Sequence, residues 1–186
     1  MRYRPISSAD LPAVLALQEA NLFANLTQVQ RQDGFLSAVF TEHHFRQMAR
    51  EVAVLIADDG GDICAYLCAS SVAFNRQFPL LAAMIATFDG VRFLGRTLAS
   101  QRTFIYGPVC VARSHRRRGL LRGLYDALRR ELAGGYDAGV GFVAKDNERS
   151  LAAHSDGLGM TMAGDFAFGD KQYWTLAFHV PPPPSC

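Results

Sequence analysis

No two of the four cysteines, Cys64, Cys68, Cys110 and Cys186, form a CxxC pair, so a zinc knuckle is not expected. Cys64 and Cys68 fall at even spacing in a strand-like run and would share one face of a sheet; as buried thiols they act as small apolar residues. Cys110 has no local His or acid pattern to make it a nucleophile. No apolar run reaches the roughly 18–20 residues that cross a bilayer. The longest candidate, Phe78–Phe88, is shorter and contains Pro79. The opening Met1–Pro5 carries no apolar core of a signal peptide, so the expected home is the cytoplasm, without a membrane partner. Charge of one sign is also lacking. Nineteen basic against 17 acidic residues leave +2, too little to argue for a nucleic-acid partner. His43, His44, His115 and His179 lack metal-ligand spacing with one another, and no metal is expected.

What is present suits one domain. The 186 residues are 49% apolar and 19% charged, an ordinary globular composition. The expected domain spans residues 1–180, followed by a loose proline-rich tail at 181–186. A short strand over 1–7 leads to a helix over 9–22, with Ser8 as its cap and Pro12 in its first turn. A second helix covers 42–50. The stretch between them is less regular and contains Gly34-Phe35-Leu36. Val52–Ala57 and Ile63–Val72 flank a strong hairpin turn, Asp58-Asp59-Gly60-Gly61-Asp62. A helical segment and a linker occupy 76–100, and Thr103–Ala112 reads as a strand. Leu120, Leu121, Leu124, Leu128 and Leu132 recur at helical spacing and define the clearest helix. A strand at 138–144, a short helix from Asn147 and a hairpin over 160–180 complete an α/β (α+β) chain with a largely antiparallel sheet. Strand 103–112, helix 120–132 and strand 138–144 should form a right-handed βαβ crossover.

The informative segment runs from Val109, Cys110 and Val111 through Arg113-Ser114-His115-Arg116-Arg117-Arg118-Gly119 to Leu120, Leu121 and Arg122. A strand enters a basic, glycine-containing turn and a helix leaves it. The first amides of a helix have no internal partners and, with the helix dipole, form an anion site. Gly119 removes a Cβ where a phosphate would approach the backbone, and arginine can meet phosphate oxygens in a bidentate way. The competing reading is a solvated basic loop or a nucleic-acid patch. The interleaved leucines argue against the patch, because the same segment is needed as a core helix. A P-loop is excluded by the missing Gly-Lys-Ser/Thr, and a dinucleotide fingerprint by missing glycines.

Here the chain resembles the GNAT superfamily of N-acetyltransferases. The family's phosphate motif, Arg/Gln-x-x-Gly-x-Gly/Ala after a strand ending in Val, reads Arg116-Arg117-Arg118-Gly119-Leu120-Leu121 after Val111. Leu121 replaces the last small residue. Asn147-Glu148-Arg149-Ser150 followed by His154 and Leu158-Gly159-Met160 is similar to the family's Asn-x-x-Ser/Ala…Tyr…Gly-Phe segment, with His154 where many members carry Tyr. Phe166, Gly169, Tyr173, Leu176 and Phe178 resemble its last hairpin. The likeness covers about residues 103–180.

The resemblance implies a GNAT-like sheet with splayed central strands and acetyl-CoA, or another acyl-CoA, as co-substrate. Its diphosphate would sit at Arg116–Arg122 and its pantetheine along Val109–Val111, as an added strand. A backbone amide near Val109 or Cys110 would stabilise the oxyanion. Asn147 and Ser150 would contact the cofactor, although Asn147 equally suits a helix cap. His154 would be the acid that protonates the departing thiolate, or else a packing residue; Tyr106 and Tyr125 are weaker alternatives. The acceptor would be a primary amine of a small molecule or peptide, with a homodimer as the candidate assembly. Phe23, Phe35, Phe40 and Phe45 either line the acceptor pocket or fill the core. Two rival functions remain: a non-catalytic acyl-CoA-binding module, and a basic nucleic-acid-binding protein whose affinity would fall steeply with salt.

Overall fold

The computed structural model describes residues 1–31, 35–36 and 38–182. Gly34 and the tail residues 183–186, Cys186 included, lie outside the described residues. In chain order the elements are β1 (Arg2–Pro5), α1 (Leu11–Glu19), α2 (Gln28–Arg31), α3 (Glu42–Glu51), β2 (Ala53–Asp59), β3 (Asp62–Ser71), α4 (Val72–Asn75), α5 (Pro79–Ile85), β4 (Arg92–Phe93), β5 (Arg96–Thr97), β6 (Thr103–Val111), α6 (Leu120–Glu131), β7 (Ala138–Ala144), α7 (Glu148–Ser155), β8 (Thr161–Phe168) and β9 (Lys171–His179). Seven strands form a sheet in the order β1-β2-β3-β6-β7-β9-β8. The β1–β2, β2–β3, β7–β9 and β8–β9 pairs are antiparallel, and β6–β7 is parallel. This is the mostly antiparallel α/β architecture expected from the sequence. Contacts gather into two compact units within the span read as one domain: Met1–Ala69 with Gly107–Leu128, and Ser70–Tyr106 with Arg129–Cys186.

In the first unit, β2 buries Ala53–Ala57 and β3 buries Cys64–Ala69, so both strands read as continuous apolar runs. Their turn needs left-handed backbone at Gly60 (φ 69°) and Gly61 (φ 106°), and Asp58 Oδ1 accepts the Gly61 N–H at 2.8 Å. Arg4 on β1 donates to both oxygens of Asp10, at 2.7 and 2.8 Å, and to Asp58 Oδ2. The guanidinium, against the cost of burial, holds the Asp10 carboxyl far below the usual carboxylate range. Asp10 Oδ2 also accepts from the Ser7 backbone and hydroxyl. Ser7 therefore caps a 3-10 turn at Ser8–Asp10, and α1 begins only after it with Asp10, not Ser8, at its N-cap. The helix stops at Glu19 instead of Leu22; the side-chain amide of Asn21 donates to the Leu17 carbonyl at 2.8 Å. On α6, a Cβ at Gly123 would lie 2.1 Å from the Tyr3 ring. Gly123 thus lets β1 and α6 approach closely, while Leu120, Leu124 and Leu128 fill the core.

In the second unit the parallel β6–β7 ladder covers only Thr103–Ile105 against Ala138–Val140. Further along β6, Pro108 has no N–H to give a ladder and Gly107 holds φ 107°. β7 pairs with β9 along its whole length. A Cβ at Gly139 would come within 2.2 Å of the Phe178 ring and 2.6 Å of the Phe104 ring, so the bare backbone makes room for both. Met84, Phe88, Leu98, Ile105, Val140 and Phe166 pack the core. The stretch 76–100 is more regular than expected. It holds α5, opened by Pro79 in the first turn, and a small β4–β5 hairpin turned by Leu94 (φ 52°) and Gly95 (φ 78°).

Candidate functional site

The basic turn belongs to the first unit. β6 ends at Val111, a 3-10 turn spans Arg113–His115, and α6 starts at Leu120. Between them the backbone swings left-handed twice, at Arg117 (φ 62°) and Gly119 (φ 79°). Left-handed residues alternating with ordinary ones turn successive N–H groups toward one concave side, a nest for an anion. Across the helix start the Gly123 N–H donates to the Gly119 carbonyl at 3.0 Å. The amides of Leu120 and Leu121 belong to the first turn of α6, ahead of that closure, where helix N–H groups lack an intrahelical acceptor. Among the described residues, a Cβ at Gly119 would meet no atom beyond its chain neighbours within 4 Å. The space above this glycine is clear.

The side chains divide the work. Arg117, Arg118 and Gly119 are exposed, Leu120 is buried and Leu121 is half-buried. Leu120 and Leu121 can therefore offer a ligand only backbone. Arg116 turns back into the protein: its Nε donates to the Val111 carbonyl at 3.3 Å and its Nη2 to Asn21 Oδ1 at 3.0 Å. It braces the turn, and its guanidinium does not reach outward as a phosphate clamp. Arg122 lies 3.8 Å from Asp126 and over the Tyr125 ring at 5.8 Å. Arg117 and Arg118 are exposed on the turn itself, flanked by the equally exposed Arg113 and Arg122.

On β6, Val109 and Val111 are half-buried and Cys110 is buried. Burial pushes the Cys110 thiol up to about 12, against a lowering from Arg116. A thiol held so firmly protonated is no nucleophile, which agrees with reading Cys110 as an apolar residue.

The second unit groups the other candidates on α7. Asn147 is the N-cap, its Oδ1 accepting the Ser150 N–H at 3.0 Å. One turn later His154 places Nδ1 2.8 Å from the Ser150 carbonyl. A carbonyl can only accept, so Nδ1 carries the proton and Nε2 keeps its lone pair. Ser150 Oγ lies 3.5 Å from the same Nδ1. The Tyr106 ring meets the imidazole edge-on with centroids 5.7 Å apart, and Phe178 packs on Tyr106 in turn. Burial lowers the His154 pKa below its ordinary value, and the bond to Ser150 only partly offsets that. Near neutrality the imidazole is neutral, with one nitrogen able to take a proton. The sequence named His154 as an acid; in the neutral ring Nε2 is the nitrogen that can take a proton. Tyr125, the other weak alternative, is buried on α6 in the first unit.

The phenylalanines of the N-terminal region behave unequally. Phe40 and Phe45 are buried, whereas Phe23 and Phe35 are exposed and meet edge-on at 4.9 Å. Gln18, invisible to motif reading, fixes this segment by exchanging hydrogen bonds of 2.8 and 2.9 Å with the Phe40 backbone. Among the described residues no helix is long and apolar enough to cross a membrane.

No family model matches the chain, and no curated protein does. Many solved structures do. An alanine N-acetyltransferase of a ribosomal protein from Escherichia coli matches at 14% identity and TM-score 0.62, over 97% of this chain and 94% of that one. An N-acetyltransferase from Staphylococcus aureus matches at 16% identity and TM-score 0.61, over 96% and 98%. A Salmonella typhimurium protein described as a putative acetyltransferase, solved with its cofactor acetyl-CoA, matches at 17% identity and TM-score 0.61, over 100% and 97%. At these identities the likeness establishes the fold: this chain has the fold of the GNAT acetyltransferases.

Proposed function

We propose that the chain is a GNAT-superfamily N-acyltransferase that moves an acetyl group from acetyl-CoA to a primary amine of a small molecule or peptide. The observation that carries this reading is the twice left-handed turn at Arg117 and Gly119, with clear space over the glycine, opening a long helix. Such a turn suits a diphosphate better than a monovalent anion, because several amides converge at once. Arg117 and Arg118 would add charge from the rim. The backbone of Val109–Val111 would align the pantetheine arm, and an amide there would meet the thioester oxygen as it becomes an anion.

The amine attacks the thioester carbonyl after losing a proton; a C–N bond forms, and the C–S bond then breaks to release CoA. His154 is assigned proton transfer through Nε2. As a neutral base it can accept the proton that the nitrogen sheds, and as imidazolium it can return one to the thiolate. Asn147, whose Oδ1 accepts the cap bond from Ser150, would offer the cofactor its amide N–H groups and the second lone pair of that oxygen.

The test is release of free thiol from acetyl-CoA across a panel of amines and short peptides, with His154→Phe beside the parent. Acceptor-dependent thiol release that drops by about two orders of magnitude or more in the variant, with acetyl-CoA affinity kept, supports the reading. Tight acetyl-CoA binding with no acceptor-dependent turnover points instead to a non-catalytic acyl-CoA-binding module.

A further inference from the structure

The hairpin joining β2 to β3 and the turn leading into α6 bring three unlike donors together in the first unit. One ligating atom from each of Asp59, Cys64 and His115 lies within 4.8 Å of the other two. We propose that Asp59, Cys64 and His115 form a binding site for one zinc-like divalent cation, with a fourth position left to water.

The donor set fits that class. A thiolate with an imidazole and a carboxylate selects borderline metals over magnesium or calcium, which want oxygen alone. Bonds of about 2.0–2.3 Å in a tetrahedron set donors roughly 3.3–3.8 Å apart. From separations within 4.8 Å the three atoms need to close by up to roughly 1.5 Å, within reach of side-chain torsions on an exposed Asp59 and a half-buried His115. The buried Cys64 is the fixed point, because its carbonyl accepts the Ala112 N–H at 2.8 Å and ties the hairpin to the chain entering the turn.

The surroundings support the assignment. Ser114 Oγ lies 2.9 Å from His115 Nδ1, the outer bond that would fix the tautomer and leave Nε2 to ligate. Cys64 Sγ donates to the Asp62 carbonyl at 3.4 Å. Asp59 also faces the N-terminal ammonium at 3.7 Å, a contact the ion would replace. On binding, the Cys64 S–H bond breaks, the sulfur keeps the electron pair and donates it to the metal, and one proton goes to solvent.

The experiment uses the full chain, stripped with a chelator and titrated with Co²⁺, then with Zn²⁺ as competitor. One equivalent of Co²⁺ should produce a near-ultraviolet thiolate-to-cobalt band, removed by Zn²⁺, with about one proton released per ion. Cys64→Ser should abolish the band. His115→Ala should weaken Zn²⁺ at least tenfold, and Ser114→Ala about tenfold. Circular dichroism checks that the variants fold; the exposed Ser114 provides a variant that leaves the core untouched. The proposal is overturned if no thiolate band develops at saturating Co²⁺. It is equally overturned if Cys64→Ser retains parental Zn²⁺ affinity, or if removing His43 and His44 is what abolishes binding. None of these readouts uses acyl-CoA, so this site and the proposed enzyme stand or fall separately.

Discussion

Gly119→Ala separates backbone strain from ligand contact when set beside Gly60→Ala. Both glycines sit in left-handed backbone, at φ 79° and φ 69°, and among the described residues a Cβ at either meets no atom beyond its chain neighbours within 4 Å. Neither variant creates an internal clash. Each should carry only the left-handed penalty of an L-residue, about 1–2 kcal/mol, which lowers Tm by roughly 2–8 °C in a chain of this size. The two should therefore look alike in thermal or urea unfolding. They should part in acetyl-CoA binding. At Gly119 the new methyl group occupies the clear space where a phosphate would reach the amides. Losing one charge-assisted hydrogen bond costs about 1.5–3 kcal/mol, or roughly 10–100-fold in Kd. At Gly60, on the β2–β3 turn, affinity should stay within about twofold, since strain alone does not touch a ligand. Calorimetric titration of both variants against the parent decides it. Equal affinity for acetyl-CoA in Gly119→Ala and parent would refute the placement of the diphosphate.

Arg116→Ala should destabilise the fold by about 1.5–3 kcal/mol in urea titrations through loss of the bonds to Val111 and Asn21, while Arg117→Ala with Arg118→Ala should leave Tm nearly unchanged and weaken acetyl-CoA in a salt-dependent way. Asp10 is held ionised by Arg4, so its stabilisation is complete above the unfolded pKa of about 3.9 and fades as pH falls toward its depressed folded value. Asp10→Asn should accordingly cost about 2–3 kcal/mol at pH 7, with the gap to the parent narrowing below about pH 4 in acid unfolding curves. If His154 is the working base, the rate at saturating acceptor should rise through a pKa below about 6.5 and level off above it; His154→Phe should remove that limb from the pH profile.

The sheet was legible because its strands carry strong local signals. The glycine pair at Gly60-Gly61 announces a tight hairpin, and Ala138–Ala144 is a bounded apolar run whose limits the structure reproduces. The leucine stripe located α6 for the same reason. The β4–β5 hairpin was not legible, since a turn through Leu94 with φ 52° is one that leucine does not advertise. Ser7, not Ser8, caps the 3-10 turn because Asp10, three residues on, answers Ser7 with its carboxylate; the pattern was present but shifted by one. In the candidate site, sequence found the turn and its glycine but could not see which arginines face inward. That depends on Asn21, 95 residues from Arg116 along the chain. His154 was singled out by its position in the sequence, while its tautomer depends on the carbonyl of Ser150, which only folding brings to Nδ1. Asp59, Cys64 and His115 escaped motif reading because only folding brings a hairpin and a distant turn together.

The most direct test is calorimetric titration of the unmodified chain with acetyl-CoA, free CoA and pantetheine. If backbone amides at the mouth of α6 hold a diphosphate, acetyl-CoA and CoA should bind with one-to-one saturation and pantetheine, lacking the diphosphate, at least tenfold more weakly. Pantetheine binding as well as CoA, or no heat from any of the three at millimolar concentration, would contradict the account.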